Sequence, residues 1–267
     1  LTSVSPKGHP PATAETRRST SLHRLTFGRL RNFGRADAAL LLLSIVCSGA
    51  YYLATPGMTP AAGRVVLKAL SIAPLAVLAF RVLGPGLGPP SSGAGPRRHA
   101  NLILAVALTL SCVGDVLLAI DPRRHFGHAL RAFLFAHLAY ILLFVRSWAR
   151  PLRPGRRALI LTALVLTYSL LALSWLAPGM GRHAVAATIY GAVITGMTLS
   201  TILAGFSRPF VWIGAILFMI SDSLLVAAAG KTGWSAAAAL IWPTYYLGQY
   251  GIAIGFLREA AGDDSHG

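Results

Sequence analysis

NLILAVALTLSCVGDVLLAI, residues 101–120, is apolar almost from end to end and carries a single charge, Asp115. A helix needs about 20 apolar residues to cross a hydrocarbon core roughly 30 Å thick, so this stretch reads as a membrane span. LFMISDSLLVA, residues 217–227, sets Asp222 in the same surroundings: a small residue, Asp, any residue, then Leu-Leu. A carboxylate at the centre of a membrane helix costs about 3 kcal/mol on insertion scales, which makes it a functional candidate. The chain has eight acidic residues. Glu15, Asp37, Asp121, Glu259, Asp263 and Asp264 fall in tails or at span edges, and the matched pair remains.

Working outward, the 267 residues are 55% hydrophobic and 12% charged, with a mean hydropathy of +0.62. These values predict an all-α integral membrane protein. Apolar segments at about 36–54, 62–83, 100–120, 129–148, 157–177, 183–205, 209–229 and 236–257 predict eight transmembrane helices. Three parts follow: a disordered basic cytoplasmic tail over 1–35 with no apolar leader core, an eight-helix domain over 36–258, and a polar C-terminal tail over 259–267. The net charge of +16 does not indicate nucleic acid, because Lys and Arg concentrate in tails and connectors. Most of them collect on one side if the N-terminus is inside, so both termini are expected to be cytoplasmic. In a bacterium the membrane would be the plasma membrane. Arg123, Arg124 and Arg131 break the pattern by gathering on a predicted outer loop. Cys47 and Cys112 both lie within spans and form no disulfide framework.

The aspartates fall in spans three and seven. His137 and Tyr140 follow the first in span four; Tyr245, Tyr246 and Gln249 follow the second in span eight. Two four-helix halves of the same orientation would make a parallel repeat, with chance matching between Leu-rich helices as the plainer account. By the helical rise, the depths from the outer ends are about 8 Å for Asp115, 9 Å for Lys68, 10 Å for Asp222, 12 Å for His137 and 14 Å for Tyr245. Polar groups from five helices therefore share one layer. Each also has a structural reading. The aspartates can bridge helices, Lys68 can be a counter-ion or snorkel, and His137 and the tyrosines can be packed core residues. GxSxG, HExxH and Walker A patterns are absent, and no Cys/His cluster has metal spacing, so neither metal nor cofactor is expected. An Asp-based acid–base site fits better than a serine nucleophile.

GDVLL (114–118), FGHALRAFLFAHLAYILLF (126–144), GAILFMISDSLL (214–225) and YYLGQY (245–250) together resemble the YhhN-like family, the lysoplasmalogenases. The resemblance covers residues 38–258. It implies a membrane hydrolase that takes a lysophospholipid from the bilayer and, with water, cleaves the vinyl-ether bond of a lysoplasmalogen. The products would be a fatty aldehyde and glycerophospho-ethanolamine or -choline. By resemblance Asp115 and Asp222 match the family's intramembrane aspartates, and His137 matches the His of its Ala-His-x-x-Tyr segment. Tyr245 and Gln249 sit in what resembles its final helix. One departure concerns span two, where the family often has Lys directly before Pro; here Lys68 precedes Ala69, and Pro74 comes six residues later.

A vinyl ether is acid-labile, and two carboxyls can divide the work if one is held protonated and the other ionised. Asp222, the deeper, is expected to be the acid and Asp115 the base. His137 and Tyr245 would orient water or the ether oxygen. Lys68, Tyr140, Tyr246 and Gln249 would line the substrate site, and Arg123, Arg124 and Arg131 would hold the lipid phosphate. Two competitors are a proton- or cation-coupled transporter using the same aspartates and a non-catalytic lipid-binding protein. The first predicts solute counterflow; the second predicts that Asp→Asn changes leave function intact.

Overall fold

The computed structural model describes residues 34–54, 61–82, 95–147, 154–206, 209–229 and 235–262. The predicted N-terminal tail lies outside them except for residues 34 and 35; of the predicted C-terminal tail, residues 259–262 are described and continue the last helix. Among the described residues eight α-helices follow in order: α1 (Arg35–Ala54), α2 (Ala61–Arg81), α3 (Gly95–Ile120), α4 (Pro122–Arg146), α5 (Arg156–Leu176), α6 (Ala184–Leu203), α7 (Phe210–Ala229) and α8 (Ser235–Gly262). A 3-10 helix, Ala177–His183, joins α5 to α6. Among the described residues there is no strand.

Among the described residues seven helices, α1 to α7, are long and apolar enough to cross a membrane, which makes this a multi-pass membrane protein. The expected eighth span corresponds to α8, which is long enough at 28 residues. Its middle, however, carries Trp242, Pro243, Thr244, Tyr245, Tyr246, Gln249 and Tyr250, which lower its hydropathy. Those side chains largely face other helices: Trp242, Tyr245, Tyr246 and Gln249 are all buried.

The predicted outer loop that held Arg123, Arg124 and Arg131 is a correction. Asp121 alone joins α3 to α4, and all three arginines are helical. The cause is local. Asp121 accepts from the backbone N–H groups of Arg123 and Arg124, and Pro122 takes the first helical position, where its missing N–H is harmless. These bonds also hold the Asp121 carboxyl below the usual carboxylate range, Arg124 contributing most.

The α3–α4 and α7–α8 hairpins make the most extensive helix contacts, and α2 packs on α3. Helix α8 also touches α2 and α3, so it bridges both hairpins. The α7–α8 contact is backbone on backbone: a Cβ on Gly248 would stand 2.9 Å from the Gly214 carbonyl oxygen, and one on Gly214 2.7 Å from that of Gly248. Small residues permit such approach, and close packing drives helix association in lipid. Helix α5 instead turns Leu164, Leu170 and Leu171 outward.

Candidate active site

Of the predicted layer, Lys68, Asp115, Asp222 and Tyr245 lie five to ten residues from one end of their helices, whereas His137 lies fifteen into α4, which begins at Pro122; Tyr190 joins the four. Lys68 is seven residues into α2, Tyr190 six into α6 and Tyr245 ten into α8; Asp115 is five from the end of α3 and Asp222 seven from the end of α7. Helices that alternate in direction bring these positions to one depth.

Asp115 is buried, and both its oxygens are engaged. Lys68 Nζ stands 3.2 Å from Oδ1, and Tyr245 Oη donates to Oδ2 at 2.5 Å. Buried ions persist when paired and hydrogen-bonded. The Lys68 ammonium also sits 5.4 Å from the Trp242 ring and 5.8 Å from that of Tyr51, a cation–π arrangement. The network continues through Gln249. Its Nε2 donates to Tyr245 Oη at 3.4 Å, and its Oε1 accepts from Tyr140 Oη at 2.6 Å. Gly114 explains the Gly-Asp step: a Cβ there would meet the Phe133 ring at 2.8 Å, and Phe133 packs edge-on against Tyr245 at 5.9 Å.

Asp222 is differently placed. Tyr190 Oη donates to its Oδ2, and His137 Nε2 stands 3.6 Å from the same oxygen, beyond hydrogen-bond range. The His137 ring is fully buried between Tyr190 and Phe218, at 5.4 and 4.8 Å, and neither ring nitrogen makes a hydrogen bond among the described residues. Asp222 and Tyr190 line a cleft between α5, α6 and α7 that Asp115 does not reach. Phe218 joins the two carboxyl clusters, its ring contacting His137, Tyr140 and Tyr245.

The structure thus gathers Asp115, Lys68, Tyr245, Gln249 and Tyr140 in one network, and Asp222 with His137 beside it. Tyr246 is not among them: its hydroxyl bonds Ser44 Oγ of α1 at 2.9 Å, and its ring stacks on Trp242. Arg123, Arg124 and Arg131 are exposed on the first turns of α4, at the same end as the layer. Sequence reading passed over Tyr190, Trp242 and Phe218. The depth rule applied to every polar aromatic would have found Tyr190, about 9 Å from the start of α6 at 1.5 Å per residue. Phe218 carries no such signal, since an apolar residue in an apolar helix is unremarked.

Comparison with known proteins adds an independent line. The YhhN family matches residues 63–256. A Mycobacterium bovis protein named lysoplasmalogenase is 35% identical over 158 residues, which cover 57% of this chain and 59% of that protein. The lysoplasmalogenases TMEM86B of Rattus norvegicus and Homo sapiens are each 34% identical, covering 59% of this chain and 62% and 64% of theirs. The chain therefore spans about three fifths of the length of these curated relatives. No solved structure matches it. With the match running from the start of α2 almost to the end of α8, and so taking in both carboxyl clusters, the chain belongs to the YhhN family.

Proposed function

We propose that this chain is a membrane-embedded vinyl-ether hydrolase that acts on lysoplasmalogens, as the names of its relatives suggest. The observation that carries the reading is the unequal engagement of two buried carboxyls in one layer. Asp115 is tied at both oxygens to Lys68 and Tyr245, whereas Asp222 has one tyrosine partner and borders a cleft. Environments that differ in this way assign different roles to two acids.

In the proposed reaction Asp222 is the general acid. Its proton goes to the outer vinylic carbon, and the electron pair of the C=C bond forms the new C–H bond. The adjacent carbon, bonded to the ether oxygen, becomes an oxocarbenium centre. Water adds there as His137, whose buried nitrogens lack hydrogen bonds among the described residues, takes up its proton. The resulting hemiacetal passes its hydroxyl proton to the Asp222 carboxylate as the C–O bond to glycerol breaks, and protonated His137 gives its proton to the departing oxygen. Protonation of the departing oxygen gives aldehyde and glycerophospho-alcohol, and the carboxyl of Asp222 is restored. Asp115, assigned the base on sequence grounds, takes a positioning role here: it fixes Tyr245 and balances the charge of Lys68. A coupled-carrier reading is not favoured, since α3 and α7 run unbroken through the layer.

The experiment is aldehyde release from lysoplasmenyl-ethanolamine by purified protein. The expected result is turnover by wild type, a loss of about 100-fold or more in Asp222→Asn and His137→Gln, and native helicity in both. A folded wild-type protein that releases no aldehyde overturns the proposal.

A further inference from the structure

The cleft beside Asp222 holds about 480 Å³ of space, part of it open to the surroundings. Leu173, Leu176, Ile194 and Val226 supply apolar walls from all three helices. Its polar side chains are largely satisfied within the protein. Thr195 Oγ1 shares its one proton between Ser169 Oγ and the Gly191 carbonyl, Ser169 Oγ donates to Met219 Sδ, Ser223 Oγ to the Met219 carbonyl, and Tyr190 Oη to Asp222. An occupant away from Asp222 therefore meets little demand for hydrogen bonds, which suits hydrocarbon and not a headgroup. Residues 168–176 of α5 give the cleft about 12 Å along the helix axis at 1.5 Å per residue. The neighbouring face of α5 carries exposed Leu170 and Leu171, so apolar surface borders the cleft.

We propose that this cleft binds the single hydrocarbon chain of a lysolipid, entering sideways from the bilayer, and that Gly191 sets its width through Leu173. The proposal deepens the reaction reading above, in that it delivers the bond next to the chain to Asp222. Gly191 is the specific feature. A Cβ there would stand 2.6 Å from Leu173 Cδ2, so a side chain at 191 forces the flexible end of Leu173 to move.

The test uses a non-hydrolysable alkyl-ether lysophosphatidylethanolamine with a diazirine midway along its chain, irradiated with the full chain in nanodiscs. Wild type should be labelled over residues 168–176 and 187–195, and excess unlabelled lipid should compete. Gly191→Ala should weaken competed labelling by about tenfold, equivalent to losing contact with roughly two methylenes, and Gly191→Ala with Leu173→Ala should restore it. Labelling that is not competed, that spreads over the outward faces of all helices, or that survives Gly191→Ala undiminished overturns the proposal. Aldehyde release is read separately. A labelled cleft without aldehyde keeps the chain site and overturns the reaction; aldehyde with an unlabelled cleft does the reverse.

Discussion

Lys68 and Asp115 stand 3.2 Å apart with almost no exposure, and each is the principal reason the other can be there. Breaking such a pair strands one buried charge and costs about 3–5 kcal/mol, whereas replacing both partners with apolar or neutral groups of similar size is often near neutral. Lys68→Met and Asp115→Asn are each expected to lower the melting temperature in detergent sharply. The double variant should recover most of that loss without recovering activity. If the single variants melt like wild type, the pair is not a structural tie. The sequence offered Lys68 as a counter-ion or a snorkelling residue, and the choice required its neighbours: the Asp115 carboxylate and the rings of Trp242 and Tyr51 all stand close to the ammonium.

At the scale of elements, α7 and α8 meet through glycine, and Phe218 hangs on that contact. A Cβ on Gly248 would come within 2.9 Å of the Phe218 backbone nitrogen as well as the Gly214 carbonyl. Gly248→Ala should destabilise by about 1–3 kcal/mol, the usual cost of overpacking. It should also reduce turnover, because Phe218 moves with the α7 backbone between the carboxyl clusters; a thermal melt and an aldehyde assay on one preparation read both. Asp121 governs another element boundary. Its carboxyl is held below its ordinary range in the folded chain, so its cap supports α4 fully above the unfolded value and is lost as pH falls through the lower folded value. The melting difference between wild type and Asp121→Ala should therefore be largest near neutral pH and fade in strong acid. A difference that grows on acidification would contradict the cap.

For the whole molecule, the partners of the two aspartates follow one scheme. Asp115 on α3 takes Lys68 from the preceding α2 and Tyr245 from α8; Asp222 on α7 takes Tyr190 from the preceding α6 and approaches His137 on α4. Each carboxyl thus draws residues from both halves of the chain, and we propose a parallel repeat of four helices as the origin of the pattern. We expect the arginine-rich ends, including Arg146, Arg156 and Arg157, to face the cytoplasm and the carboxyl layer to lie toward the outer side. A cysteine at Arg123 should then react with an impermeant maleimide added to intact cells, and one at Arg157 should not. The reverse would invert the orientation and place the site on the inner side.

The sequence by itself determined the class and much of the layer. Long apolar runs force helices because lipid offers backbone groups no other partner, and the fixed rise per residue turns position into depth. Depth alone put Asp115, Asp222, Lys68, His137 and Tyr245 at one level. Rotation about each helix and the order of neighbours came only with tertiary packing, because hydrophobicity on all sides leaves no face marked. Hence Tyr246 turns to Ser44 while Tyr245, one residue and about 100° away at 3.6 residues per turn, meets Asp115. Packing alone likewise separated the aspartates, closing one in an ion pair and setting the other beside a cleft whose walls come from three helices.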